Sequence, residues 1–323
     1  FSEIAKVFQQ QLPLATLFQF PTVAQLAEVL RQRGWQASWR SLVALRPTGS
    51  RPPFFCVHAV GGNVLEYNDL AQLFPPDQPF YALQSIGLDG RTPAHTSIEA
   101  MAAAYLQELR QIQPRGPYFL GGRSFGGTVA FEMAQQLKAN GEDVALLAML
   151  DTYPLGWLSL YPPAEAARME AEYKRQRWQR HWSNLRQLNL ADKVEYCRNK
   201  AQYKSRKYKY TLWQFSQWLR RDASASLTDT LRQTEESNYR AAKRYRPQVY
   251  PGQLTFFCAD EEVGVEESCK GWESLVAGGV EVIRVPGDHQ TMIRAPHVQQ
   301  LAKRLNECLQ QASQTMMPER RQG

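Results

Sequence analysis

This sequence predicts an α/β fold: a mostly parallel central sheet carrying one large helical insertion. Three observations predict it. Short apolar runs without a two-residue period recur along the chain, as they do in strands buried on both faces. Amphipathic helical segments separate these runs, and such alternation builds parallel sheets covered by helices. Finally, Gly121-Gly122-Arg123-Ser124-Phe125-Gly126-Gly127 lies between an apolar run and a helical segment, the context of a sharp strand-turn-helix junction.

The elements follow in order. Residues 54–58 (Phe-Phe-Cys-Val-His) form the first buried strand and residues 80–86 a second. Thr96-Ser-Ile-Glu99 caps a helix bearing Ile98, Met101, Tyr105, Leu109 and Ile112. Tyr118-Phe119-Leu120 enters the glycine-rich turn, and Val129, Ala130, Met133, Ala134 and Leu137 mark the helix that leaves it, ending at Gly141. A strand at 144–150 closes at Asp151-Thr152. Strands at 253–258 and 280–285 follow, and a last helix at 298–309 turns Leu301, Leu305, Cys308 and Leu309 to the core.

Three regions depart from this rhythm. Residues 1–33 form a unit of their own, in which Thr22-Val-Ala-Gln25 reads as a capping box opening a helix with Val23, Leu26, Ala27, Val29 and Leu30 on one side. Residues 34–53, holding Pro47, Gly49, Pro52 and Pro53, read as a linker to the main domain at 54–312. Residues 155–246 contain no convincing strand. An insertion of that size, between strands and on the side where strands end, is expected to form a helical lid over a site. Residues 313–323 read as a disordered tail.

Composition excludes several classes. Apolar content of 43% and charged content of 21% are those of an ordinary globular protein, and no apolar run approaches the length of a membrane span. The chain begins at Phe1 without a basic-then-apolar leader, so a piece of a longer cytoplasmic polypeptide is expected. Cys56, Cys197, Cys258, Cys269 and Cys308 follow neither a disulfide nor a metal spacing; Cys56 and Cys258 fall in buried strands, where a cysteine acts as a small hydrophobe. The net charge of +7 is concentrated in residues 168–221, where 15 basic residues face 4 acidic ones. Five of the eight tryptophans fall between positions 157 and 218. These charges alternate with apolar residues at helical spacing and no nucleic-acid motif accompanies them. They read as solvated helix faces that could attract an acidic protein, and no nucleic-acid or membrane partner is expected.

The turn at Ser124 carries the chemistry. Gly-x-Ser-x-Gly between strand and helix exposes a serine hydroxyl beside a helix N-terminus, with Gly122 and Gly126 removing side chains that would clash there. A serine hydroxyl needs a base, and the base needs an orienting group. His289, in Pro286-Gly287-Asp288-His289 after the last strand, reaches the same sheet edge. His58 precedes the serine, His95 lies in a loop, His181 in the insertion and His297 at a helix start. The α/β-hydrolase order of serine, acid, histidine fits His289. Asp151 and Asp260 both end strands before it, and position alone leaves the two open. Asp288 is too close in sequence to orient its neighbour easily and reads as a surface or hydrogen-bonding residue. Two oxyanion donors are expected: the N–H of Phe125 and that of Val60 in His58-Ala59-Val60-Gly61-Gly62. Gly61-Gly62 fits no phosphate-binding pattern.

Together, the His-Ala-Val-Gly-Gly loop, Gly-Arg-Ser-Phe-Gly-Gly, Leu150-Asp151 and Gly-Asp-His followed by Met292 resemble the chain-releasing thioesterase domains of nonribosomal peptide and polyketide synthases. The resemblance covers most of residues 54–309 and implies an α/β-hydrolase fold, Asp151 as the acid, and a substrate-channel lid. Residues 12–27 resemble the last helices of a carrier protein, without its phosphopantetheine-bearing serine. The implied substrate is an acyl or peptidyl thioester on the phosphopantetheine of an upstream carrier domain of the same synthase, with no cofactor bound by this fragment. Release by hydrolysis or by ring closure stays open. Arg123, where the family often has an aromatic residue or histidine, and Ala59, in place of a common proline, depart from the pattern. A lipase or carboxylesterase acting on free esters is the alternative.

Overall fold

The computed structural model describes residues 2–8, 12, 16–20, 22–32, 41–89, 92–187, 227–260 and 265–316. The beginning of the expected linker (34–40), the second part of the basic stretch (188–221) and the end of the expected tail (317–323) lie outside them.

Seven strands form one sheet in the order β1-β3-β2-β4-β5-β6-β7. They are β1 (Leu42–Arg46), β2 (Phe54–Val57), β3 (Phe80–Leu83), β4 (Tyr118–Arg123), β5 (Val144–Leu150), β6 (Leu254–Ala259) and β7 (Val280–Val285). β2 to β7 pair in parallel, and β1 runs antiparallel to β3 at the edge. All four residues of β2 are buried, and their period of two reappears as a division between two cores. Phe55 and Val57 join Met101 and Tyr105 of α5 (Ile98–Leu109) and Val129 and Met133 of α6 (Phe125–Ala139). Phe54 and Cys56 join Leu70 of α4 (Asn68–Gln72) and Leu301 and Leu305 of α10 (Val298–Met316). Helices on both faces explain why the strand sequences lack alternation. Each buried Phe contributes about 1.5–3 kcal/mol through burial.

Several boundaries differ from the sequence reading. Residues 42–46, read as linker, form β1. Val43 and Leu45 are buried and Ala44 is exposed, and Glu108 of α5 accepts from the N–H groups of Ser41 (3.0 Å) and Leu42 (2.7 Å). A strand this short, followed by prolines and glycine, has too few residues to display its period. The second strand ends at Leu83 rather than residue 86, because a 3-10 turn begins at Ile86. α5 is capped by Ser97, not Thr96; its side chain accepts from Ala100 N–H at 3.2 Å. α10 continues to Met316, into the span read as tail.

Ahead of the sheet lie α1 (Ser2–Phe8), α2 (Thr16–Gln19) and α3 (Val23–Arg31). Thr22 and Gln25 form the expected capping box, with both reciprocal bonds present. Val29 is buried, whereas Val23 is 85% exposed. The region of the expected lid divides. Residues 161–226 make one compact unit, whose described part is α7 (Pro163–Gln187). α8 (Leu227–Arg244) belongs instead to the unit holding the sheet, because its inner face is tied there. Ala241 is buried in the core with α6, and the Tyr245 hydroxyl that follows α8 donates to Glu132 Oε2 at 2.8 Å. α9 (Val265–Leu275) places Trp272 in the same core, and its indole N–H donates to the Thr152 carbonyl at 2.8 Å.

Candidate active site

At Ser124 the chain leaves β4 and enters α6 with φ 55° and ψ −120°, a region that non-glycine residues enter only under strain. Close packing holds it there. Ser124 N–H donates to the Leu150 carbonyl of β5 at 3.0 Å, and Gly127 N–H donates to the Ser124 carbonyl at 3.1 Å. A Cβ on Gly122 would fall inside the Gly126 carbonyl, and one on Gly126 inside the carbonyls of Val57 and His58. The turn therefore needs glycine on both sides of the serine.

Asp151, one residue beyond β5, also adopts a positive φ, 46°, and is 4% exposed. Its backbone N–H donates to the Phe257 carbonyl of β6 at 2.7 Å. Its Oδ2 lies 2.5 Å from His289 Nδ1, and because a carboxylate only accepts, Nδ1 carries the proton. Asp260, the other aspartate left open by position, is half-exposed and faces Arg284 at 3.9 Å. The loop bearing His289 is shaped by Asp288. Its Oδ1 accepts from Gln290 N–H (2.8 Å), Thr291 N–H (2.7 Å) and the Thr291 hydroxyl (2.8 Å). Burial alone would raise the Asp288 carboxyl, but the hydrogen bonds from Thr291 and Gln290 outweigh it and hold the group below its ordinary value. Of the two readings left for Asp288, surface or hydrogen-bonding residue, these bonds favour the second.

The loop after β2 is built around one carbonyl. Ala59 O accepts from Gly62 N–H at 2.9 Å and from His58 Nδ1 at 2.6 Å. His58 Nδ1 must therefore carry the proton, and Nε2 accepts from the Tyr105 hydroxyl at 2.8 Å. Because the peptide unit is planar and trans, fixing Ala59 O also fixes Val60 N–H in the opposite direction. The next carbonyl, Val60 O, accepts from Asn238 Nδ2 of α8 at 2.9 Å. Phe125 N–H belongs to the first turn of α6, where helix N–H groups have no intrahelical acceptor. Burial pushes the His58 imidazole down to about 4, so it is neutral at physiological pH.

Arg123 is 6% exposed. Its Nε and Nη2 donate to Glu66 Oε2 at 3.1 and 2.5 Å, and its Nη1 donates to the His289 carbonyl at 2.9 Å. The charge that Arg123 brings near the site is offset by Glu66. Sequence reasoning missed Glu66, Tyr105 and Asn238 as supports. All three come from separate elements, and only the folded chain brings them to the site. Of the other histidines, His95 packs edge-on against Tyr105, His181 lies in α7 and His297 adjoins Gly287. Among the described residues, no group of three or more His, Cys, Asp or Glu is placed to hold a metal ion, and no helix is long and apolar enough to cross a membrane.

A parallel sheet with a positive-φ serine between strand and helix, and an aspartate-histidine pair at the ends of later strands, defines an α/β-hydrolase. The thioesterase domain family matches residues 52–309, and the chain belongs to that family. It is 30% identical over 316 residues to malpinin synthetase of Mortierella alpina, covering 96% of this chain and 4% of that protein. It is 42% identical over 159 residues to a dimodular nonribosomal peptide synthase of Bacillus subtilis, covering 49% of this chain and 7% of that one. The chain thus spans a small fraction of the length of these relatives. A four-domain nonribosomal peptide synthetase in its holo form, bound to AMP and glycine, superposes with a TM-score of 0.62 and 26% identity over 98% of this chain and 23% of its own. The thioesterase domain of NocB, from the nocardicin cluster, shares the fold with a TM-score of 0.57 and 23% identity over 84% of this chain and 99% of its own.

Proposed function

We propose that this domain releases a finished acyl or peptidyl chain from a carrier, with Ser124 as nucleophile, His289 as general base and acid, and Asp151 as the group that orients it. The observation carrying the reading is the 2.5 Å bond from His289 Nδ1 to Asp151 Oδ2, which assigns the proton to Nδ1 and leaves Nε2 basic. Nε2 takes the proton of the Ser124 hydroxyl as Oγ attacks the thioester carbonyl carbon. The oxyanion is met by the N–H groups of Val60 and Phe125, each such donor being worth about 10²–10³ in rate. The C–S bond breaks, the thiol leaves with the proton from Nε2, and an acyl-Ser124 ester remains. Water, or an amine or hydroxyl of the same chain, then loses its proton to Nε2 and attacks that ester. The Ser124 Oγ–C bond breaks, Oγ takes that proton back from Nε2, and an acid or a ring is released.

The thioester is proposed to arrive on the phosphopantetheine of a carrier domain upstream in the same synthase. The likeness of residues 1–33 to the end of a carrier, and relatives that are whole synthetases, support that partner. Residues between 155 and 246 are proposed to shape the channel. Two measurements test the reading: the site of fluorophosphonate labelling, and turnover of pantetheine thioesters beside simple esters. An adduct away from Ser124 refutes the assignment of the nucleophile, and preference for free esters favours a lipase-like enzyme. Product mass separates acid from ring, since ring closure adds no water.

A further inference from the structure

Three features of the base's surroundings bear on how it is held. Arg123 ends β4 and pairs with Leu150 of β5, so its backbone belongs to the sheet. Its N–H donates to the Tyr67 hydroxyl at 3.1 Å, which itself donates to the Val57 carbonyl of β2 at 2.6 Å. From that rigid origin the guanidinium reaches in two directions. One edge lies on Glu66, in the 3-10 turn (Leu65–Tyr67) that follows the loop bearing Val60. The remaining Nη1 meets the backbone carbonyl of His289, 166 positions along the chain.

The bonds within the His289 loop, from Asp288 to Gln290, Thr291 and Met292, fix its shape but not its place over the sheet. Burial of Met292 and Ile293 anchors its far side. On the near side, His289 is gripped twice: its ring by Asp151 and its carbonyl by Arg123. A rigid planar fork can serve a carboxylate and a carbonyl together, which a single ammonium cannot do in the same geometry. We infer that the Arg123–Glu66 pair is a latch that positions the general base, holding the His289 backbone at a fixed height above the nucleophile strand. Arg123 is then a positioning residue, and Glu66 aims it. This inference rests on the proposed role of His289.

Its test uses two readouts on the intact chain. The first is the downfield proton resonance of the His289 Nδ1–H bond to Asp151, which requires no substrate and no assumption about the reaction. The second is the rate of Ser124 phosphonylation, with KM measured on a pantetheine thioester. Arg123→Met is expected to shift or broaden the resonance and to slow labelling about 10–100-fold, with KM within about twofold, as loss of alignment predicts. Arg123→Lys is expected to recover less than half of that loss. Glu66→Ala should behave as a weaker Arg123→Met, and Glu66→Gln, whose Oε1 still accepts from the guanidinium, should restore most of the resonance and rate. An unchanged resonance and labelling rate in folded Arg123→Met overturns the latch. Should that variant fail to fold, equal defects in Glu66→Ala and Glu66→Gln overturn a geometric latch just as well. If wild-type Ser124 takes no label, the proposed reaction fails, while the resonance still decides whether Arg123 holds His289.

Discussion

His58 and Phe125 stack ring on ring, with centroids 5.7 Å apart and planes inclined by 27°. The contact joins the loop after β2 to the first residue of α6. The two N–H groups proposed as oxyanion donors, on Val60 and Phe125, therefore share one packed support. His58→Ala removes the stack and one of the two donors to Ala59 O. It is expected to lower kcat about tenfold or more, with KM little changed, in steady-state assays on a pantetheine thioester; this is less than the loss of a donor itself.

The same histidine makes stability depend on pH. Its folded value of about 4 lies below the 6.5 of an exposed histidine, so between these limits the unfolded chain binds a proton that the folded chain refuses. Stability from this group is full above pH 6.5 and falls as pH drops toward 4, by about 3 kcal/mol over the whole window. Urea titrations at several pH values should show this slope, and His58→Gln should flatten it relative to the parent.

Asp151 and Asp260 end neighbouring strands and separate cleanly by experiment. Asp151→Asn leaves His289 without its anionic partner and is expected to slow acylation of Ser124 about 10³–10⁴-fold, as loss of the orienting acid does in serine hydrolases. Asp260→Asn, whose side chain is half-exposed and faces Arg284, should stay within about twofold. Phosphonylation rates compare the two directly.

Asn238 Nδ2 donates to the Val60 carbonyl, and its own buried Oδ1 has no hydrogen-bond partner among the described residues. Asn238→Leu is isosteric enough to keep α8 packed while freeing Val60 O. We expect kcat to fall severalfold, with a loss of stability of about 1–2 kcal/mol from the carbonyl left unsatisfied. Thermal denaturation and kcat together check it.

Much of this was legible in order along the chain because the signals were local. The elbow declares itself through glycines on either side of Ser124, and the capping box through Thr22 and Gln25. The buried strands show as runs such as Phe54 to Val57, because helices cover both faces. Chain order brought His289 to the serine, but could not choose Asp151 over Asp260; the family resemblance made that choice, and the bond to His289 Nδ1 accords with it. What stayed hidden was non-local. β1 was masked by its shortness and by the prolines that follow it. Helical periodicity in residues 227–244 shows an amphipathic helix without naming the surface it covers. Glu66 and Asn238 carry no motif, since their partners lie 57 and 178 positions away.

Ser124 and Asp151 both hold left-handed backbone at the ends of adjacent strands, positions that cost about 1–3 kcal/mol each in non-glycine residues. The sheet is thereby less stable than its own topology permits, and the deficit sits at two side chains proposed to carry the chemistry. Ser124→Gly and Asp151→Gly should each raise the melting temperature while abolishing turnover. Selection for thermal robustness alone would thus erode this domain from its centre outward, and the proposed activity is what would keep those two residues in place.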